Sequence, residues 1–124
     1  MKKASILVVD DQQQVCDAIQ RILAADGHAV VSATSVRDAY RYLEEGRQFD
    51  LVITDLMMPK VDGIDLLLIF KEKAPQTAVL IITGYPSPES MVDASRFGAA
   101  GYLPKPFTAE ELEAAVGELI KDAA

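Results

Sequence analysis

Two hydrophobic patterns alternate along the chain. Short β-branched runs occur at Ile6-Leu7-Val8-Val9, Ala29-Val30-Val31, Leu51-Val52-Ile53 and Val79-Leu80-Ile81-Ile82, with a weaker one at Ala100-Gly101-Tyr102-Leu103. Near-continuous apolar runs of this length predict strands covered on both faces, as in a parallel sheet. Between them lie stretches with helical spacing. Val15, Ile19, Ile22 and Leu23 fall on one stripe, and so do Leu112, Ala115, Val116, Leu119 and Ile120. Thr108 and Glu111 form a capping box that opens the last helix, and Ser87-Pro88 marks another helix start. Gly27, Gly46 and Gly98 stand where the preceding helices should stop. The order is βαβαβαβαβα. Parallel strands joined by right-handed crossovers give an open α/β sheet with helices on both faces.

Composition narrows the function classes. The 124 residues suit one domain, with half of them apolar and a quarter charged, as in a globular protein. Twelve Lys and Arg against 19 Asp and Glu leave a net charge of −7, which argues against direct nucleic-acid binding. The longest apolar runs, such as Leu66-Leu67-Leu68-Ile69-Phe70, are far too short to cross a bilayer. Asp10 and Asp11 interrupt the first apolar stretch too early for a signal peptide. A single cysteine, Cys16, excludes an internal disulfide and fits a reducing cytoplasm.

In open α/β sheets, ligands bind at the carboxyl ends of the strands. Those ends carry Asp10-Asp11, Thr54-Asp55, Thr83-Gly84 and Lys105-Pro106. Three carboxylates, the Thr83 hydroxyl and one lysine therefore converge on one edge. Two carboxylates about 4 Å apart repel by about 4 kcal/mol at an effective dielectric near 20. Such a cluster is tolerable around a hard cation or with a carboxyl protonated. Oxygen-only donors suit Mg²⁺ and do not suit zinc. Taken singly, each residue reads more readily as a helix cap, a turn former or a solvated side chain than as a functional group. The joint pattern is what points to a site.

These motifs resemble the receiver domain of two-component response regulators, over essentially the whole chain, 1–124. The resemblance is carried by Ile6-Leu7-Val8-Val9-Asp10-Asp11, by Asp55-Leu56-Met57-Met58-Pro59 with Asp62-Gly63, by Thr83-Gly84, and by Leu103-Pro104-Lys105-Pro106-Phe107. It implies a flavodoxin-like (βα)5 doubly wound sheet of order 2-1-3-4-5. It also implies that Asp55 accepts a phosphoryl group from the phosphohistidine of a sensor histidine kinase or phosphotransfer protein. Asp10, Asp11, Asp55 and the Met57 backbone carbonyl would hold Mg²⁺. Lys105 would pair with a phosphoryl oxygen, Thr83 would hydrogen-bond another, and Gly84 would offer space and a backbone donor. Tyr102 occupies the switch-aromatic position, and the Lys105–Pro106 bond is expected to be cis. The switched surface would be the fourth helix, fifth strand and fifth helix, acting on an output domain or a downstream protein.

Other readings stay open at this stage. One is a phosphorylation-independent interaction module. Another is a Mg²⁺-dependent phosphohydrolase using an aspartyl phosphate, although Met57 stands where its Asp-x-Asp motif needs the second acid. The resemblance implies a self-phosphorylating switch, not a turnover enzyme. A stand-alone regulator and a receiver from a longer protein are both compatible with the sequence. In the family register Ile64, Leu66, Leu67 and Phe70 point inward, leaving Leu68 and Ile69 outside as scattered surface apolars or as a contact for a partner or a second copy. Ala100-Gly101 replaces an acidic pair used by one dimerising subfamily. Gln13, Gln14, Asp17 and Arg21 form a polar helix face on the side where the family docks its kinase. His28 reads as structural.

Overall fold

The computed structural model describes residues 3–56 and 63–120. Five strands alternate with five helices: β1 Ser5–Val9, α1 Gln13–Ala25, β2 Ala29–Ala33, α2 Val36–Glu44, β3 Leu51–Asp55, α3 Gly63–Lys73, β4 Ala78–Thr83, α4 Pro88–Arg96, β5 Gly101–Pro104 and α5 Ala109–Ile120. All strand pairs are parallel, in the order β2-β1-β3-β4-β5. This is the doubly wound, flavodoxin-like architecture that the alternating patterns and the family resemblance imply.

Strand side chains alternate between two cores. Leu7, Val9, Val52, Val79 and Ile81 face α2, α3 and α4, which contribute Ala39, Leu66, Leu67, Phe70 and Ala94. Ile6, Val8, Leu51, Ile53, Leu80 and Ile82 face α1 and α5, which contribute Cys16, Ile19, Leu23, Leu112, Val116 and Ile120. Both faces are covered, so the strand sequences are apolar throughout.

Local signals act where they were expected. Thr108 and Glu111 exchange side-chain-to-amide hydrogen bonds at 3.0 and 2.9 Å, making the capping box of α5. Ser87 caps α4, with Pro88 in its first turn. Gly27, Gly46 and Gly98 adopt φ of 90°, 82° and 99°, the left-handed region in which a side chain would strain the backbone. His28 is buried and accepts the Ala4 amide at 3.0 Å, a structural role.

β3 and β4 close on Asp55 and Thr83, the strand ends at which the sequence places them, and both residues are held in the ladder. Two details differ from the sequence reading. Cys16 lies inside the buried stripe of α1, while Val15 and Ile22 only pack at its margin. In α3, Ile69 packs partly against the core and Leu68 is the exposed member, at 44%. A parallel sheet with helices above it accepts a wide apolar arc, which takes in Ile69 but not Leu68.

Candidate functional site

The site forms where β1, β3, β4 and β5 end side by side. Asp10 follows β1 directly. Its amide donates to the Ala33 carbonyl at 3.2 Å, and its Oδ1 accepts the Gln12 amide at 2.9 Å, turning the chain into α1. That leaves Oδ2 aimed along the sheet edge. Asp55 closes β3, in register with Ile82 of β4. Lys105 follows β5, and its amide donates to the Thr83 carbonyl at 2.7 Å. The Lys105–Pro106 bond is cis.

The lysine ammonium bridges two carboxylates. Lys105 Nζ donates to Asp10 Oδ2 at 3.1 Å and to Asp55 Oδ2 at 3.2 Å, linking residues that lie 95 and 50 positions away in sequence. Asp10 and Asp55 are buried, while Asp11 is exposed beside them. Each of the three offers a carboxylate oxygen within 4.8 Å of the others, close enough to share one metal ion. The donors are all hard oxygens, so this acidic cluster fits a hard divalent cation. Met57 lies outside the described residues.

The electrostatics follow from burial. Desolvation pushes the Asp10 carboxyl above its ordinary range, against the opposing effects of the Gln12 amide and Lys105. Burial would lower Lys105, but the bonds and charges of Asp10 and Asp55 outweigh it and hold the ammonium above its ordinary value. Asp10 and Lys105 are thus perturbed together at the strand ends, each by its own burial and by the other's charge.

The remaining residues ring this cluster. Thr83 is fully buried, and its hydroxyl accepts the Tyr85 amide at 3.0 Å. A Cβ added at Gly84 would meet no heavy atom within 4 Å, so the space in front of its backbone is open. Tyr102 is half-buried against the core face of α2–α4, and its hydroxyl lies 2.7 Å from Ser90 Oγ. Ser90 was not singled out by the sequence. Its signal was a Ser-x-x-Ser cap at the start of α4, weaker than the usual Ser-x-x-Glu.

Comparison with known proteins decides the family. The model of the response regulator receiver domain matches residues 6–117, nearly the whole chain. The chain belongs to the response regulator receiver domain family. Among curated relatives, the transcriptional regulatory protein ZraR of Escherichia coli O157:H7 is 42% identical over 109 residues, 88% of this chain and 24% of that protein. The DNA-binding transcriptional regulator NtrC of Azospirillum brasilense is 34% identical over 116 residues, 94% of this chain and 24% of that protein. The receiver thus spans about a quarter of the length of the curated relatives it matches.

Solved structures agree. A response regulator receiver domain protein from Clostridium thermocellum superposes with a TM-score of 0.88 at 38% identity, covering 96% of this chain and 95% of that one. The beryllofluoride-activated NtrC4 receiver domain dimer superposes with a TM-score of 0.90 at 29% identity, covering 97% and 98%. Among the described residues of this receiver, no helix is long and apolar enough to cross a membrane.

Proposed function

We propose that this receiver is a Mg²⁺-dependent phosphoacceptor of two-component signalling, with Asp55 as the accepting residue. The observation that carries the reading is the Lys105 ammonium bonded to both Asp10 and Asp55 beside the open space at Gly84. A sensor histidine kinase or a phosphotransfer protein supplies the phosphoryl group. An Asp55 oxygen attacks the phosphorus of the phosphohistidine, the P–N bond breaks, and its electron pair returns to the imidazole. Phosphoryl transfer requires in-line positioning and charge neutralisation more than covalent assistance. Lys105 supplies one positive charge at the phosphoryl oxygens. Asp10, Asp11 and Asp55 would hold Mg²⁺, with the Met57 carbonyl as a further ligand, and a bound Mg²⁺ supplies Lewis-acid neutralisation of the phosphoryl oxygens. Gly84 leaves room for the group and offers its amide.

The phosphorylated state acts through charge. A new dianion beside Thr83 draws its hydroxyl away from the Tyr85 amide, and Tyr102 turns toward the vacated space. The rearrangement is read out on α4, β5 and α5. Tyr85, Met91, Val92 and Phe97 already expose apolar surface around α4, and Tyr85 is 76% exposed. That surface meets an output domain, a downstream protein or a second copy of the receiver, as the NtrC4 receiver dimer suggests by similarity. The exposed Gln13, Gln14, Asp17 and Arg21 of α1 face the kinase. The receiver works in the cytoplasm as a switch that loses its phosphoryl group by its own hydrolysis, without turning over substrates as an enzyme. It makes no direct contact with nucleic acid.

Incubation with a small phosphodonor and Mg²⁺, followed by intact-mass measurement, tests this. One added phosphoryl group is expected, absent without Mg²⁺ and absent in Asp55→Asn. Uptake that persists in Asp55→Asn overturns the assignment. Rapid turnover of unrelated phosphomonoesters would favour a phosphohydrolase.

A further inference from the structure

The segment between β4 and α4 is fastened at both ends by hydroxyl groups. At its start the Thr83 hydroxyl accepts the Tyr85 amide at 3.0 Å. At its end Ser87 and Ser90 exchange side-chain-to-amide bonds at 3.0 and 3.2 Å, the reciprocal cap of α4. Ser90 has two more polar neighbours. Its Oγ lies 3.1 Å from the Ser87 carbonyl and 2.7 Å from the Tyr102 hydroxyl on β5.

A serine hydroxyl has one proton to donate and two lone pairs to accept with. Every contact is satisfied when Ser90 donates to the Ser87 carbonyl and accepts from both the Ser87 amide and the Tyr102 hydroxyl. Tyr102 is then the donor, and Ser90 has no spare capacity. The ring of Tyr102 packs against the core while its hydroxyl is held at the first turn of α4. The aromatic side chain and the helix cap are thereby one hydrogen-bonded unit.

We propose that Ser90 is a positioning residue of the switch, which holds Tyr102 at the first turn of α4 and opposes its turn toward Thr83. This role rests on the phosphoacceptor reading and adds to it the group that sets the resting position. Turning Tyr102 inward breaks its bond to Ser90, just as moving Thr83 breaks its bond to Tyr85. The two breaks occur at opposite ends of the same short loop, so the first turn of α4 is released together with Tyr102. A hydrogen bond of this kind is worth roughly a threefold to tenfold change in a two-state equilibrium.

The test is a beryllofluoride titration in the presence of Mg²⁺, followed through the Gly84 amide resonance. Ser90→Ala and Tyr102→Phe should each lower the half-saturating beryllofluoride concentration about threefold to tenfold. The double variant should go no further than either one, and Ser90→Thr, which keeps the hydroxyl, should behave as the parent. Tyr102→Phe leaves the α4 cap intact, so it separates loss of the bond from loss of the cap. Without Mg²⁺ or beryllofluoride, Ser90→Ala should move the Tyr102 Cζ carbon resonance and Ser90→Thr should not. A midpoint unchanged within about twofold in Ser90→Ala, or additive effects of the two single variants, overturns the proposal. An unmoved Cζ resonance overturns it as well. A parent protein that takes up no beryllofluoride overturns the phosphoacceptor reading itself, and the Cζ resonance still reports whether Ser90 holds Tyr102.

Discussion

The two ends of the sheet treat polar groups in opposite ways. At the amino end, side-chain polar groups are taken up by the backbone. Asp50 accepts the Ser5 amide at 2.9 Å, His28 accepts the Ala4 amide at 3.0 Å, and the Thr77 hydroxyl donates to the Phe49 carbonyl at 2.7 Å. Arg47 lies over the rings of Tyr42 and Phe49, 5.1 and 5.7 Å from their centroids. At the carboxyl end, three carboxylates crowd within 4.8 Å of one another, and Lys105 reaches two of them. The first arrangement satisfies groups that folding has stripped of water. The second gathers like charges that folding alone would disperse. The difference separates a pole whose polar groups are satisfied by the backbone from one whose acidic cluster fits a hard cation.

The strongest way to break that comparison is to remove the bridging cation. Lys105→Met keeps most of the aliphatic stem but leaves Asp10 and Asp55 without the ammonium. It should destabilise the metal-free protein by about 2–3 kcal/mol at neutral pH, as expected for breaking a partly buried ion pair from one side. Denaturant unfolding in the presence of a chelator measures this. A variant as stable as the parent would mean that the acidic pole is satisfied without Lys105.

At the opposite pole the expected effect is smaller. Thr77→Val preserves shape and deprives the Phe49 carbonyl of its buried hydroxyl donor. Thermal unfolding should show a loss of about 1–2 kcal/mol, with the phosphoryl chemistry unaffected. An equal loss of phosphoryl uptake would show that the two poles are coupled.

The smallest effect lies in pH dependence. Burial raises the native Asp10 carboxyl above its ordinary value of 3.8, so the native state binds that proton more tightly than the unfolded state does. The resulting stability is fully present below the unfolded value and is lost as pH rises through the native one. Asp10→Asn does not titrate and still offers an acceptor to the Gln12 amide. In chelator, its stability relative to the parent should therefore increase as pH is raised from about 3.8. A difference that stays constant with pH would show that Lys105 and Gln12 fully offset the burial of Asp10.

Much of this molecule was legible along the chain. The apolar runs and helical stripes gave the element order, because a strand covered on both faces has no polar side to display. Asp10, Asp11, Asp55, Thr83 and Lys105 could be placed at strand ends, where parallel topology brings distant residues together. Ser90 could not be read the same way, since a serine in a helix's first turn looks like a cap and nothing more. Its contact with Tyr102 depends on how α4 sits against β5. Ile69 was equally hidden, because the width of a helix's buried arc depends on the surfaces around it.

What the sequence determined by itself was the order of strands and helices, the caps and glycine stops, and the set of acids and the lysine that meet at one edge. These follow from local sterics, side-chain periodicity and the right-handedness of crossovers, which act on short stretches of chain. What only the tertiary structure decided was how the charges are shared: that the Lys105 ammonium reaches Asp10 and Asp55 together, that Asp11 stays exposed beside them, and that the Tyr102 hydroxyl meets Ser90 at the cap of α4. Hydrogen bonds and ion pairs are settled within tenths of an ångström, and positions that fine exist only once the helices have packed onto the sheet.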